Sequence, residues 1–163
     1  MRQIVTYPDP VLREKAQPVT EIDDDLRQLV EDMAKVMYED DGVGLAANQV
    51  GDLRRVVVID AGEGFGAFIN PEIIRRGEET QSVEEGCLSL PGIHVHVTRP
   101  TEVTVRAMNL AGETLEIEAQ GLLARAFQHE TDHLNGVMII DHASPLQRSL
   151  LKNKLRRLEK EQS

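Results

Sequence analysis

Tryptophan is absent from this 163-residue chain, aromatic residues make up 3% of it, and there is one cysteine, Cys87. A core with so few rings must be filled by Val, Ile, Leu, Met and Ala. A lone cysteine cannot close an intrachain disulfide, which suits a reducing compartment. No apolar run approaches the roughly 20 residues that a membrane span needs. The longest β-rich run is Val56–Ile59. Met1-Arg2-Gln3-Ile4 carries a charge but no apolar stretch and no small-residue cleavage site, so a cytoplasmic location is expected. Basic residues are in the minority, 18 Lys+Arg against 28 Asp+Glu, for a formal net charge of −10. Such a surface repels phosphate on average, so neither DNA nor a membrane is an expected partner.

The length suits a single domain, expected over residues 1–163, since domains commonly run roughly 100–200 residues. Apolar residues reach 40% and are mixed with charged ones throughout, which argues for a folded chain. Ile22-Asp23-Asp24-Asp25 supplies capping carboxylates, and Leu26, Leu29, Val30, Met33, Val36 and Met37 follow at helical spacing. Short strands are expected at Arg55–Asp60 and Ala67–Asn70, the second ended by Pro71. Glu102–Met108 and Thr114–Ala119 flank a turn at Asn109-Leu110-Ala111-Gly112, and His94–Val97 alternates with the histidines on one face. A second helix begins just after Gly121 and closes at Asn135-Gly136. A third opens on Ser144-Pro145-Leu146-Gln147, with Leu146, Leu150, Leu151, Leu155 and Leu158 as its apolar stripe. The pattern is an α+β class: short antiparallel strands around a central helix, with an N-terminal and a C-terminal helix.

The central helix carries His129-Glu130-Thr131-Asp132-His133. Histidines at i and i+4 lie on one face, where both imidazoles can reach one cation. Glu130 sits beside the first ligand without having to bind, which is the arrangement hydrolysis needs: the ion makes a water acidic and the glutamate takes its proton. The histidines share their face with Ala126, Phe127 and Leu134, so they point inward, where unpartnered imidazoles would be costly. A catalytic site of this kind uses a third protein ligand. Cys87, in Glu85-Gly86-Cys87-Leu88-Ser89-Leu90-Pro91, is the first candidate, its strand being ended by Pro91; His94, His96 and His142 are rivals that spacing does not exclude. Gly42-Val43-Gly44-Leu45-Ala46-Ala47-Asn48-Gln49 lacks both phosphate-binding signatures and reads as a turn lining a narrow cleft, with Gln49 offering an amide donor.

Taken together, Gly42–Gln49, Glu85–Ser89 and Gln128–His133 resemble the three motifs of the peptide deformylase family, in order and at the family's separations. Tyr7-Pro8-Asp9-Pro10-Val11-Leu12 and Ile69-Asn70-Pro71-Glu72 agree as well, so the likeness spans nearly the whole chain. The resemblance implies Cys87, His129 and His133 as metal ligands and removal of the formyl group from N-formylmethionyl nascent peptides, releasing formate. Glu130 would activate the water and return the proton to the leaving amine, while the Gln49 amide and the Leu88 backbone N–H hold the oxyanion. It implies Fe2+ as the metal, with Zn2+, Ni2+ or Co2+ possible in purified material. Gly42, Val43, Gly44 and Ala126 would wall the methionine pocket, and the peptide would add to the sheet edge near Gly44 and Gly86. His94 departs from the arginine that some members carry there. Arg99 and Asp132 are candidates for an ion pair supporting the metal helix.

Two other readings share these features: a zincin-type endopeptidase, and a metal-binding or ribosome-docking protein without activity. Residues 145–163 hold six basic and two acidic side chains, a local +4 that leaves −14 on the other 144 residues. By resemblance, this C-terminal helix would dock on the ribosome near the exit tunnel.

Overall fold

The structure is a computed structural model describing residues 2–162; Met1 and Ser163, the ends of the expected domain, lie outside the described residues. Helix α1 (Asp24–Glu39) begins where expected, its N-cap Asp23 accepting a hydrogen bond from the Leu26 N–H at 2.9 Å. Strands β1 (Gly44–Ala46), β2 (Val56–Ile59) and β3 (Gly66–Arg76) follow, then β4 (Thr80–Gly86) and β5 (His94–Pro100), then β6 (Glu102–Met108) and β7 (Thr114–Gln120). Helices α2 (Gly121–Leu134) and α3 (Pro145–Gln162) close the chain. All strand pairs are antiparallel. β1-β2-β3-β6-β7 form one sheet, and β4-β5 form a separate two-stranded one.

Alternation along the strands divides the core. Leu45, Val56, Val58 and Ile69 face α1, whose Leu26, Leu29, Met33 and Met37 are fully buried. Ala46, Val57, Ile59, Val103, Val105 and Ala107 face the other way, onto Ala124, Phe127 and Leu134 of α2. The five-stranded sheet is thus held between α1 and α2. A third apolar cluster joins Leu90, Val95, Val97 and Met138–Ile140 to Leu151 and Leu158 of α3. Helix α2 packs on the large sheet and also reaches the β4-β5 hairpin, Gln128 Nε2 donating to the Pro100 carbonyl at 3.0 Å.

Four expectations are corrected. Pro71 does not end its strand: β3 runs through it, because the pairing with β6 shifts between Ile69 and Glu72 and a bulge removes the need for a proline N–H. Asn70, at φ +52°, makes that bulge, its side chain bonded to both the N–H and C=O of Val19. The strand before Cys87 ends at Gly86, not at Pro91, and Cys87–Leu90 forms a turn in which the Leu90 N–H donates to the Cys87 carbonyl at 3.0 Å. The segment 42–49 is more than a turn, since it contains β1 and a 3₁₀ turn, Ala47–Val50. On α3 only Leu151, Leu155 and Leu158 pack inward, while Leu146 and Leu150, one turn apart, share a face rotated away from them and are more than 70% exposed.

Gly136, at φ +77°, closes α2, and a Cβ there would stand 2.5 Å from the Arg13 carbonyl oxygen. Arg13 also donates from both terminal nitrogens to Asp141, at 2.5 and 3.1 Å, tying the N-terminal segment to the turn before α3. Partial burial pushes Asp141 up, but hydrogen bonds from Arg13 and from the Met138 N–H outweigh it and hold the carboxyl below its usual value. A depressed carboxyl stabilises the fold above its unfolded pKa of about 3.9, and that contribution is lost as pH falls through the folded value. Asp141→Asn is therefore expected to lower the urea midpoint at neutral pH, with the difference from the wild type shrinking as pH falls below the ordinary carboxylate range.

Candidate active site

Histidines 129 and 133 are one turn apart on the face of α2 turned toward the hairpin, their rings 5.0 Å apart between centroids. Cys87 enters from the turn after β4. Its Sγ lies 3.3 Å from His133 Nε2, which lies 3.2 Å from His129 Nε2. These three ligand atoms fall within 4.8 Å of one another, and among the described residues they are the group placed to hold a metal. Two imidazole nitrogens and a thiolate sulfur facing one point, with no lysine or arginine inserted between them, fit a divalent transition ion. The rival ligands are elsewhere. His94 and His96 stand on the exposed face of β5, His96 3.7 Å from Glu84, and His142 Nε2 lies 2.9 Å from Asp132.

The ring of His129 is oriented by Glu85, whose Oε1 lies 2.9 Å from Nδ1. A carboxylate there accepts the Nδ1 proton and leaves Nε2 as the ligand lone pair. Glu85 is itself buried and accepts from Arg99 Nε at 2.7 Å, Arg99 Nη2 at 3.1 Å and Arg125 Nη1 at 2.5 Å. Burial opposes its charge, yet the hydrogen bonds from His129 and Arg99 hold its pKa well below the usual carboxylate range. Arg99 reaches on to Asp132 Oδ2 at 2.9 Å, so the expected ion pair exists, although Glu85 is the more buried of the two partners.

Glu130 points beside the ligands, 4% exposed, with Oε1 lacking a hydrogen-bond partner among the described residues. Burial pushes its pKa up to about 7. Gln49 is fixed by the Ala46 N–H, which donates to Oε1 at 3.0 Å; this aims Nε2 at Ser89 Oγ, 3.1 Å, and Cys87 Sγ, 3.6 Å. A cleft of about 780 Å³ opens on these groups, lined by Gly42, Val43, Gly44, Gly86, Leu88, Ala126 and His129 among others. Every residue expected at the pocket or the metal is therefore brought to one place. Glu85, Arg125 and Ser89 join them without having been singled out. Glu85 and Ser89 bound the second motif without a role being evident, and Arg125 lies outside all three motifs; a glutamate two residues before a cysteine and an arginine four before a histidine acquire their roles when the hairpin docks on α2.

A family model described as polypeptide deformylase matches residues 1–149. The chain belongs to that family. It is 49% identical over 160 residues to a peptide deformylase of Cellvibrio japonicus, covering 96% of this chain and 95% of the relative. It is also 51% identical over 155 residues to one of Thermotoga maritima, covering 95% and 94%. Among solved structures, the Legionella pneumophila peptide deformylase superposes with a TM-score of 0.91 at 41% identity, covering 99% of this chain and 97% of that one. The Thermotoga maritima deformylase does so with a TM-score of 0.86 at 51% identity, covering 89% and 99%. Deformylases are metal-dependent hydrolases that remove the N-formyl group from nascent peptides, and membership gives this chain that activity in preference to the endopeptidase reading.

Gly44 shows how tightly the deformylase site is packed, since a Cβ there would meet Glu130 Oε2 at 2.8 Å and Cγ at 3.0 Å. Glu130 is buried and must shift to accommodate it. Gly44→Ala is expected to reduce formate release by about 10²-fold, the usual effect of misplacing a reacting group by about an ångström. Metal content should stay at the wild-type level, and assaying both on one preparation checks this.

Proposed function

We propose that Glu130 is the group that moves the proton during deformylation, and the observation that carries this is its buried, unpartnered Oε1 next to the converging ligands. Glu130 takes a proton from the water that attacks the formyl carbon, and later delivers it to the leaving amine nitrogen. The products are formate and a free N-terminal amine. Gln49 Nε2 and the Leu88 N–H donate to the formyl oxygen as it gains charge, and the Ala46 contact keeps the Gln49 amide from turning its oxygen inward. Cys87, His129 and His133 would hold one divalent ion, which supplies a Lewis acid and makes a water acidic at neutral pH. We assign iron(II) as the resident metal on the Cys/His/His donor set and the family's chemistry; affinity order alone would favour zinc.

The substrate backbone fits between two open strand edges. Among the described residues β1 pairs only with β2 and β4 only with β5; Gly44 of β1, Gly42 and Val43 just before it, and Glu84 and Gly86 of β4 line the cleft. Backbone pairing there would read an extended chain whatever its sequence, with the apolar wall at Val43 and Ala126 receiving the methionine side chain. Glu130→Gln is expected to retain iron, measured by metal analysis of anaerobically purified protein, and to lose about 10²–10⁴-fold in kcat. Surviving activity would remove Glu130 from the proton-transfer role.

Helix α3 is the proposed contact with the ribosome in the cytoplasm. Its Lys152, Arg156 and Arg157 are exposed while Leu151, Leu155 and Leu158 anchor the opposite face, so the charge is presented outward on a fixed helix. Because those leucines complete a core cluster, charge removal tests the idea more cleanly than deletion. Replacing Lys152, Arg156 and Arg157 by alanine should weaken ribosome binding and reduce the log–log salt slope by about 2–3, with small-peptide turnover unchanged. A salt slope equal to that of the wild type would exclude the helix from the contact.

A further inference from the structure

Arg125 lies on α2 one turn before His129, and every acceptor it reaches is on the β4-β5 hairpin. Nη1 donates to Glu85 Oε2 at 2.5 Å and to the Val97 carbonyl at 3.0 Å; Nη2 donates to the Gln81 carbonyl at 2.7 Å. The side chain is 13% exposed. Arg99, the other guanidinium on Glu85, belongs to the hairpin itself and reaches α2 only through Asp132. The helix and hairpin are therefore fastened at positions 125, 129 and 132, which fall on one helical face, with Gln128 adding a bond to the Pro100 carbonyl at 3.0 Å. This docking matters chemically because the ligand set is divided: His129 and His133 come from the helix, whereas Cys87 comes from the end of the hairpin.

We propose that Arg125 is a positioning residue that sets the distance between the Cys87 thiolate and the two histidines, by clasping the hairpin to α2 and holding Glu85 against His129. It touches neither the ligand atoms nor a reacting group. Three acceptors on two strands need a planar fork with several donors, which arginine has and the point charge of lysine lacks. The charges of the cluster also balance, with Arg99 and Arg125 against buried Glu85 and the half-buried Asp132. The inference rests on the reading of Cys87, His129 and His133 as the metal site.

The test uses the full-length protein loaded with cobalt(II), comparing wild type, Arg125→Lys and Arg125→Met, the last keeping the apolar stem. Two quantities are read: the thiolate-to-cobalt charge-transfer band and the rate of cobalt loss to EDTA. Loss about 10–100-fold faster in Arg125→Met, with Arg125→Lys between it and the wild type and a weakened or shifted band in both, is expected. A lower melting temperature with an unchanged band and an unchanged loss rate would reduce Arg125 to an ordinary fold contact and overturn the proposal. Should Arg125→Met not fold, Arg125→Lys decides by the same two readouts. A wild-type protein that shows no thiolate band would instead refute the metal-site reading, so the two failures are distinguishable.

Discussion

The active site depends on one buried carboxylate. Glu85 is surrounded by two guanidiniums and an imidazole, and its two oxygens accept four hydrogen bonds between 2.5 and 3.1 Å. An ion in such a position is stabilised only while its partners remain, and breaking a buried charged set by removing one member typically costs about 3–5 kcal/mol. The same contacts have a chemical consequence. A carboxylate at Nδ1 of His129 fixes which nitrogen carries the proton, and so leaves Nε2 facing Cys87 and His133. Structural attachment and ligand orientation are here a single interaction.

The rest of the fold supplies a rigid frame for that interaction. Helix α2 is pressed against the large sheet by Phe127, which is fully buried and meets Phe68 edge to face at 4.8 Å between ring centroids. With so few aromatics in the chain, this pair is used where the metal helix meets the sheet, and aliphatic residues fill the clusters elsewhere. Two further bonds hold the helix to its surroundings: Asn48 donates to the His133 carbonyl, and Gln128, besides bonding back to Ala124 of the same helix, donates to the Pro100 carbonyl of β5 at 3.0 Å. The helix therefore has little freedom to slide or rotate, which is what a site spread over a helix, a strand edge and a turn requires.

Much of this was legible before any coordinates. Periodicity located α1 and α2 because each buries one face against a sheet, and the Ser144–Gln147 capping box marked the start of α3, with both reciprocal hydrogen bonds present. Histidines at i and i+4 beside a glutamate point to a metal helix on geometry alone. The misreadings share a cause. Pro71 seemed a strand end, 42–49 seemed a bare turn, and Leu146 and Leu150 were expected to pack inward. In each case contacts distant in sequence decided: β6 opposite the bulge, β2 beside Gly44–Ala46, and the docking of α3 through Leu151, Leu155 and Leu158, which leaves Leu146 and Leu150 facing outward.

The sequence by itself determined the helices, most of the strands, the family resemblance and the groups proposed to react, since spacing along a helix and the order of three motifs are local properties. Spacing left Cys87, His94, His96 and His142 open as third ligand, the resemblance implied Cys87, and the tertiary structure puts Cys87 with the two helix histidines. Only that structure joins Glu85, Arg99 and Arg125 into one charged cluster between helix and hairpin. Those choices depend on how two sheets dock on α2, and docking is set by long-range packing and by the need of a buried charge for partners, neither of which leaves a mark on the residues next to it in the chain.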